Sequence, residues 1–335
     1  MMDKAHAHAD AEIEEMKRHL AQIYRDTMQQ ITAEMMVFAR SIQKESNKLL
    51  KKIDEAETED AKKSAKNAYK RFFKKAIKSN AEYEKASKSA ENRLFLANIA
   101  ATAFMNSKTP KIYAENYNEI GRGLERDLPD YELKPVSESE VAKYGEIEQQ
   151  TVDKRKDTAW NRKILAAAVL TGAMLLLSPE KSVKRAVRIA AQKNYDTAAR
   201  QASDLVTGAE NKGRLDSMYR ASDEGFSVKK YWMATLDNRT RETHRKYDGL
   251  DPVELDYEYA PGLKRPKDPD CPDLSEVCNC RCRILYDTGH GKSATRAARF
   301  GEVTGSYKDP RSFAGTTTYY VRNMSYREWM EWRSK

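Results

Sequence analysis

Apolar residues recur at spacings of three and four through the first fifty positions, at Ile13, Met16, Leu20, Ile23, Tyr24, Met28, Ile31, Met35, Val37 and Phe38. This stripe predicts a long amphipathic helix over residues 10–50. An acidic, turn-like stretch from Ala56 to Asp60 interrupts it. Lys62 to Lys78 then set eight Lys/Arg and no acid around Tyr69, Phe72, Phe73 and Ile77, the pattern of a basic amphipathic helix. A further helix is expected from Ala81 to Met105, closing near Pro110. Residues 106–150 mix Gly121, Gly123, Pro129, Pro135 and Gly145 with many acids and read as loops and short elements.

The run from Trp160 to Leu177 holds fourteen residues, Ile164–Leu177, that are almost all apolar. Crossing a bilayer takes about 20, so no transmembrane span is expected and a buried core helix is, a membrane-active element being the alternative. Ser178-Pro179 suits the start of the next helix, with the serine as cap and the proline in the first turn. That helix should reach about Leu205, with a further helical stretch through Arg220. From Phe226 the periodicity breaks, and Gly249, Pro252, Pro261, Gly262, Pro266, Pro269 and Pro272 mark a loop-rich module of about 60 residues, too small to be comfortable on its own core. The tail carries nine Lys/Arg against four acids, with Phe300, Tyr307, Phe313, Tyr319, Tyr320, Tyr326, Trp329 and Trp332, and is expected to be partly disordered until bound.

Composition supports long solvated helices: a third of the 335 residues are charged, 40% are hydrophobic, and glycine and proline number only 14 and 10. The net charge of +9 is unevenly spread, with Lys+Arg against Asp+Glu at 13 to 8 over residues 51–100, 6 to 10 over 101–150 and 11 to 4 over 151–200. Basic faces of this kind favour polyanions, and Lys62, Lys63, Lys66, Lys70, Arg71, Lys74, Lys75 and Lys78 are the candidate contacts to non-specific double-stranded DNA. The same stretch also fits an ordinary helix whose aromatics dock on the first one. Met1 to Leu20 is charged and has no apolar signal core, so the protein is expected to start in a cytosol, where cysteines stay reduced. The pair His6 and His8 could touch a stray metal, but a frayed N-terminus is the expectation.

All four cysteines fall within twelve positions, Cys271 to Cys282, downstream of His244 in a polar block. Reduced clustered thiols point to a metal, and a zinc sphere takes four ligands. Five are on offer: His244, Cys271, Cys278, Cys280 and Cys282. On a straight strand Cys278 and Cys282 would be about 13 Å apart, so either the chain turns sharply at Asn279-Cys280-Arg281 or one cysteine is a bystander. Cys280 and Cys282 are expected to chelate with His244, while Cys271 and Cys278 compete for the fourth place. Asp237, Arg239, Arg241 and Asp248 are expected to form a buried polar network that orients His244. A thiolate-rich sphere suggests a closed structural zinc rather than a catalytic one. With no GxSxG, P-loop or HExxH pattern, the expectation is a protein that is not an enzyme, the alternative being a metal-dependent, nuclease-like hydrolase using His244 and the cysteines.

Trp232-x-Ala234-Thr235-x-Asp237-x-Arg239-Thr240-Arg241-x-x-His244-x-x-x-Asp248-Gly249, then Pro266-x-Asp268-Pro269 and Asn279-Cys280-Arg281-Cys282, resembles the Mu F-like phage head morphogenesis, or minor head (minor capsid) protein, family. The resemblance covers residues 226–286, and Thr207-Gly208-Ala209-Glu210-Asn211 fits its layout more loosely. It implies a virion component with portal protein and scaffold or major capsid protein as partners, present in the host cytoplasm during assembly and then in the capsid interior. Some such proteins bind DNA and affect its ejection, and some carry a C-terminal toxin-like enzyme domain, for which the 288–335 tail is expected to be too short. The expected organisation is an N-terminal helical region (1–115), an acidic loop or linker (116–154), a central helical region (155–225), the Mu F-like His/Cys module (226–287) and the basic aromatic tail (288–335). The expected fold class is mostly α, with extended helical N-terminal and central regions and a small α+β, loop-rich, zinc-stabilised C-terminal module.

Overall fold

A computed structural model describes residues 4–289, 295–300 and 317–334. The chain is mostly helical, with a small amount of sheet near its C-terminal end. Helix α1 spans Lys4–Asp54, α2 Glu59–Ser79, α3 Ala81–Asp127, α4 Glu138–Ile147, α5 Lys154–Met174 and α6 Pro179–Asp223. Strand β1 (Lys229–Met233), the short helices α7 (Glu242–Asp248) and α8 (Leu274–Val277), strands β2 (Arg283–Asp287), β3 (Thr295–Phe300) and β4 (Thr317–Arg322), and helix α9 (Tyr326–Arg333) follow.

Local chemistry sets the helix starts. Thr58 caps α2 by accepting from the Ala61 N–H at 3.2 Å, and Ser137 and Glu140 form a reciprocal capping box on α4. Asp153 caps α5 by accepting from the Arg155 and Lys156 N–H groups, and Pro179 opens α6 with Ser178 Oγ accepting from Lys181.

Tertiary contacts divide the chain into two units assembled from non-contiguous segments, where composition suggested consecutive regions. One unit comprises Met1–Lys17, Phe104–Gln149 and Ala199–Lys335, the other Arg18–Ala103 and Gln150–Ala198.

The second unit buries one apolar cluster, in which Ile31, Met35 and Phe38 of α1 meet Tyr69 and Phe73 of α2, Leu94 of α3, Leu165 and Val169 of α5, and Val183 and Val187 of α6. The aromatics of the basic helix are thus core, and Tyr69 donates its hydroxyl hydrogen to the Leu177 carbonyl at 2.6 Å. The apolar run of α5 is packed here too, and no helix among the described residues is long and apolar enough to cross a membrane. A closed amide network adds to this core. Asn98 donates to Asp157 at 2.7 Å and to Asn194 at 2.8 Å, Asn194 donates to Asn161 at 2.8 Å, and Tyr24 donates to Asn98 at 2.5 Å. Amides that satisfy one another admit one helix register, since a slip leaves them unpaired.

In the first unit, α3 runs through Pro110 to Asp127 instead of ending before it, so much of the expected 116–154 linker is helix. An interior proline costs about 3 kcal/mol in a helix. Burial of Met105, Ile112, Tyr113, Tyr117, Ile120 and Leu124 along the same face offsets it. The Pro110 ring also fits beside Gly145 of α4, where a Cβ would lie only 2.9 Å from it. Likewise α6 continues unbroken to Asp223.

A second cluster joins Ile120 and Leu124 of α3 and Leu215 and Met218 of α6 to Trp232, Leu255, Leu263, Cys271, Val277 and Ile284. The loop-rich segment therefore shares a core with two long helices and does not have to supply its own. Strand β1 pairs antiparallel with β2, Trp232 opposite Ile284, and β3 pairs antiparallel with β4. Helix α9 seats Tyr326 and Trp329 in a third cluster with Leu236, Ala298 and Met324. Of the expected disordered tail, 295–300 and 317–334 are thus folded, while Tyr307 and Phe313 lie outside the described residues.

Candidate metal centre

Helix α7 carries His244 on its inner face, and the chain entering β2 carries Cys280 and Cys282. Two residues apart in extended backbone, these cysteines point to the same side. His244 is 1% exposed, Cys280 2% and Cys282 3%. The Nδ1 atom of His244 lies 3.6 Å from Cys280 Sγ and 3.4 Å from Cys282 Sγ. A tetrahedral zinc with sulfur at about 2.3 Å and nitrogen at about 2.0–2.1 Å separates nitrogen from sulfur by roughly 3.5 Å. Both nitrogen–sulfur distances therefore match those across a bound zinc ion, and the three donor atoms all lie within 4.8 Å of one another.

The thiols are electrostatically arranged for a cation. Burial pushes the Cys280 thiol up, but its bonds to Cys282 and His244 outweigh this and hold it well below the usual thiol range. Burial together with Cys280 pushes Cys282 well above that range. A bound divalent ion would favour the ionised form of both thiols.

The other ring nitrogen, Nε2, faces Glu276 of α8, with Oε2 at 3.0 Å though off the line of the ring N–H. Glu276 is held in turn by the Thr243 hydroxyl, 3.0 Å from each oxygen. A ligating imidazole commonly has a carboxylate on its second nitrogen, which fixes ring orientation and raises basicity. Trp232, Tyr247 and Tyr259 surround the site, with Trp232 edge-on to the imidazole at 5.0 Å between ring centres.

Three of the five expected ligands converge, and two do not. Cys278 is exposed, and its carbonyl accepts from the Arg241 guanidinium. Both readings of the CNCRC segment hold at once: Asn279 adopts a left-handed φ of 56°, turning the chain, and Cys278 is left outside the turn. Cys271 is buried, but its thiol meets the Asp273 carbonyl at 3.7 Å and its side chain packs in the apolar cluster. Among the described residues, neither supplies a fourth ligand.

The expected polar network also needs correction, because Glu276 and not the aspartates orients His244. Asp237 pairs with Arg281 at 2.5 and 2.9 Å and accepts from the Arg239 N–H at 2.9 Å, which closes the turn leading into α7. Asp248 accepts from the Ala234 and Tyr326 N–H groups at 2.8 and 2.7 Å and pairs with buried Arg296 at 2.6 Å. Arg241 anchors the cysteine segment from outside. Sequence reasoning missed Glu276, Arg296 and Asn211. Asn211 of α6 donates to the Cys282 carbonyl at 3.2 Å and accepts from the Ile284 N–H at 2.7 Å, fixing the cysteine strand to the helix. Its place in the Thr207–Asn211 segment was a signal, but a lone helical asparagine carries little information.

The candidate DNA contacts line α2. Lys63, Lys70, Arg71, Lys74, Lys75 and Lys78 are exposed, while Lys62 and Lys66 are partly covered. The helix thus buries its aromatics and presents a basic face at the same time.

No family model matches the chain, and no solved structure matches it. A stretch of 107 residues, 32% of this chain, is 36% identical to the NAD(+)–arginine ADP-ribosyltransferase EFV of Enterococcus faecalis. The match covers 19% of that protein's length. This counts against the expectation that the protein is not an enzyme: the similarity is to a protein named for a catalytic activity, and the absence of familiar hydrolase motifs was too narrow a ground for excluding one.

Proposed function

We propose that this chain is a minor head protein of a tailed phage, acting in procapsid assembly beside the portal, and that His244, Cys280 and Cys282 hold a zinc ion that clasps α7 to the start of β2. The reading is carried by the convergence of the motif residues: Trp232, His244, Cys280 and Cys282 meet in one buried assembly, with Asp237 and Asp248 bracing the segments on either side. A zinc here would tie two segments 36 residues apart in sequence, and the three protein ligands would leave its fourth position to a further donor. The exposed basic face of α2 would contact packaged DNA without sequence preference, and portal and scaffold or major capsid protein would be the protein partners in the capsid interior.

The test is co-expression with a portal protein from the same genome under assembly conditions, with metal analysis of the purified complex. Wild type should co-purify with portal and carry one zinc at the cysteine site, and Cys280→Ser should lose that zinc. Failure of the wild-type chain to associate with portal or procapsids would sink the assembly role. For the basic face, charge-neutral replacement of Lys70, Lys74 and Lys78 should lower the salt slope of DNA binding by about 3.

A second reading rests on the partial enterococcal relative alone: transfer of ADP-ribose from NAD+ to arginine. Incubation of the chain with labelled NAD+ and an arginine-rich acceptor reads it directly, and lack of label transfer removes it. Metal-dependent nuclease activity, the alternative suggested by the sequence, is read by DNA cleavage that vanishes in His244→Ala.

A further inference from the structure

A second group of ligating side chains lies away from the cysteines. His8 and Glu12 stand one turn apart on α1, where residues four apart share a helix face, and Glu115 of α3 meets them. One donor atom from each falls within 4.8 Å of the others. Glu115 Oε2 is 3.7 Å from His8 Nε2.

What separates this group from an ordinary acidic surface is Glu210, behind the imidazole. This residue of α6 is completely buried, and neither of its carboxylate oxygens accepts a hydrogen bond. Its Oε1 is aimed at His8 Nδ1 from 3.8 Å, and its charge is balanced on the far side by Arg283 Nε, 3.1 Å from Oε2 but off the N–H line. The ring therefore has the buried Glu210 carboxylate facing Nδ1 and the accessible Glu115 carboxylate facing Nε2, and a carboxylate behind the second nitrogen is how a metal-bound histidine is commonly supported. The remaining charges nearby are Glu15 and Lys108, and these are committed to each other at 2.7 Å. Burial, with Glu115 and Glu15, raises the Glu12 carboxyl above its usual range.

We propose that His8, Glu12 and Glu115 form a second metal site, which takes a first-row divalent transition ion with water in the open positions, Glu210 being the carboxylate that orients His8. One imidazole and two carboxylates suit such an ion. In a bound state the donors would close to roughly 3 Å of one another, a movement that Glu12 and the exposed Glu115 make by side-chain rotation alone. The competing arrangement is a protonated His8 serving as the cation of the cluster with no metal. The site shares no ligand with the cysteine centre, so it stands or falls separately from it.

Cobalt distinguishes the two. Untagged full-length chain, stripped with chelator, would be titrated with Co2+ and followed by calorimetry and absorption. Two binding events are expected. One gives the intense thiolate-to-cobalt charge-transfer band and disappears in Cys280→Ser; the other lacks that band, persists in Cys280→Ser and disappears in His8→Ala and Glu12→Gln. Glu115→Gln, at an exposed position that cannot disturb the fold, should weaken the second event as well. Glu210→Gln should retain it with affinity lowered about 10- to 100-fold. A wild-type titration without a thiolate-free event, or with one that persists in both His8→Ala and Glu115→Gln, overturns the assignment.

Discussion

Replacing Asp248 by asparagine tests how the His/Cys region is held to the C-terminal segment. The carboxylate is buried and accepts four hydrogen bonds: Ala234 N–H and Arg296 Nη2 on Oδ1, and Tyr326 N–H and Arg296 Nη1 on Oδ2. It thereby ties α7 to the end of β1, to β3 and to the start of α9. Asparagine keeps the shape but removes the charge and turns one acceptor into a donor facing other donors. Arg296, itself buried, is left with carbonyl partners only, at Met324 (2.7 Å) and Ala234. Removing one partner of a buried pair costs about 3–5 kcal/mol, because the surviving charge is stranded. At a slope of about 2 kcal/mol per molar urea, the unfolding midpoint should fall by about 2 M. Urea unfolding of metal-loaded wild type and Asp248→Asn, followed by tryptophan fluorescence, reads this, since Trp232 and Trp329 are both buried in this unit. The double variant Asp248→Leu/Arg296→Met removes both charges and should lose less than Asp248→Asn alone. A loss under about 1 kcal/mol for Asp248→Asn would falsify the argument that the pair is dry and that its charge is what matters.

Further outcomes follow from the same geometry. Cys278→Ser should leave the thiolate-to-cobalt band intact, whereas Cys280→Ser or Cys282→Ser abolishes it; a band lost in Cys278→Ser would restore that residue as a ligand. Cys271→Ser should keep the metal yet unfold at lower denaturant, because a hydroxyl replaces a thiol packed among apolar side chains. The buried amine of Lys230 donates to the carbonyls of Leu255, Tyr257 and Lys264 at 2.5, 2.7 and 2.8 Å, so Lys230→Met strands three acceptors. It should cost at least about 1–3 kcal/mol, and faster proteolysis within residues 251–264 is the readout. Gly213→Ala places a Cβ 2.3 Å from the Tyr113 carbonyl oxygen of α3, a backbone atom that cannot rotate away. It should lower stability by about 1–3 kcal/mol, measured by thermal unfolding; an unchanged transition would show that the helices can separate there at no cost.

How much was legible depended on the range of the interactions involved. The apolar stripe of α1, the basic helix α2 with its buried aromatics, the core run of α5 and the Ser178-Pro179 start of α6 were all set by periodicity and capping within a few residues. The trio His244, Cys280 and Cys282 was likewise legible, since few residue types ligate metals and reduced cysteines clustered this closely are uncommon. The continuation of α3 through Pro110 was not, because the local rule for proline predicts a break and only burial of the following face outweighs it. Nor were the partners of Asp237 and Asp248, which are arginines 44 and 48 positions further on.

By itself, then, the sequence determined the helices, their apolar faces and which three side chains are the candidate ligands, because these follow from side-chain chemistry and short-range spacing. Only the tertiary structure decided that Cys278 turns outward and Cys271 joins the core, that Glu276 stands behind His244, and that Glu210 stands behind His8. Each of these is settled by which distant segments share a buried volume, where an unpaired charge or donor is costly enough to select one arrangement.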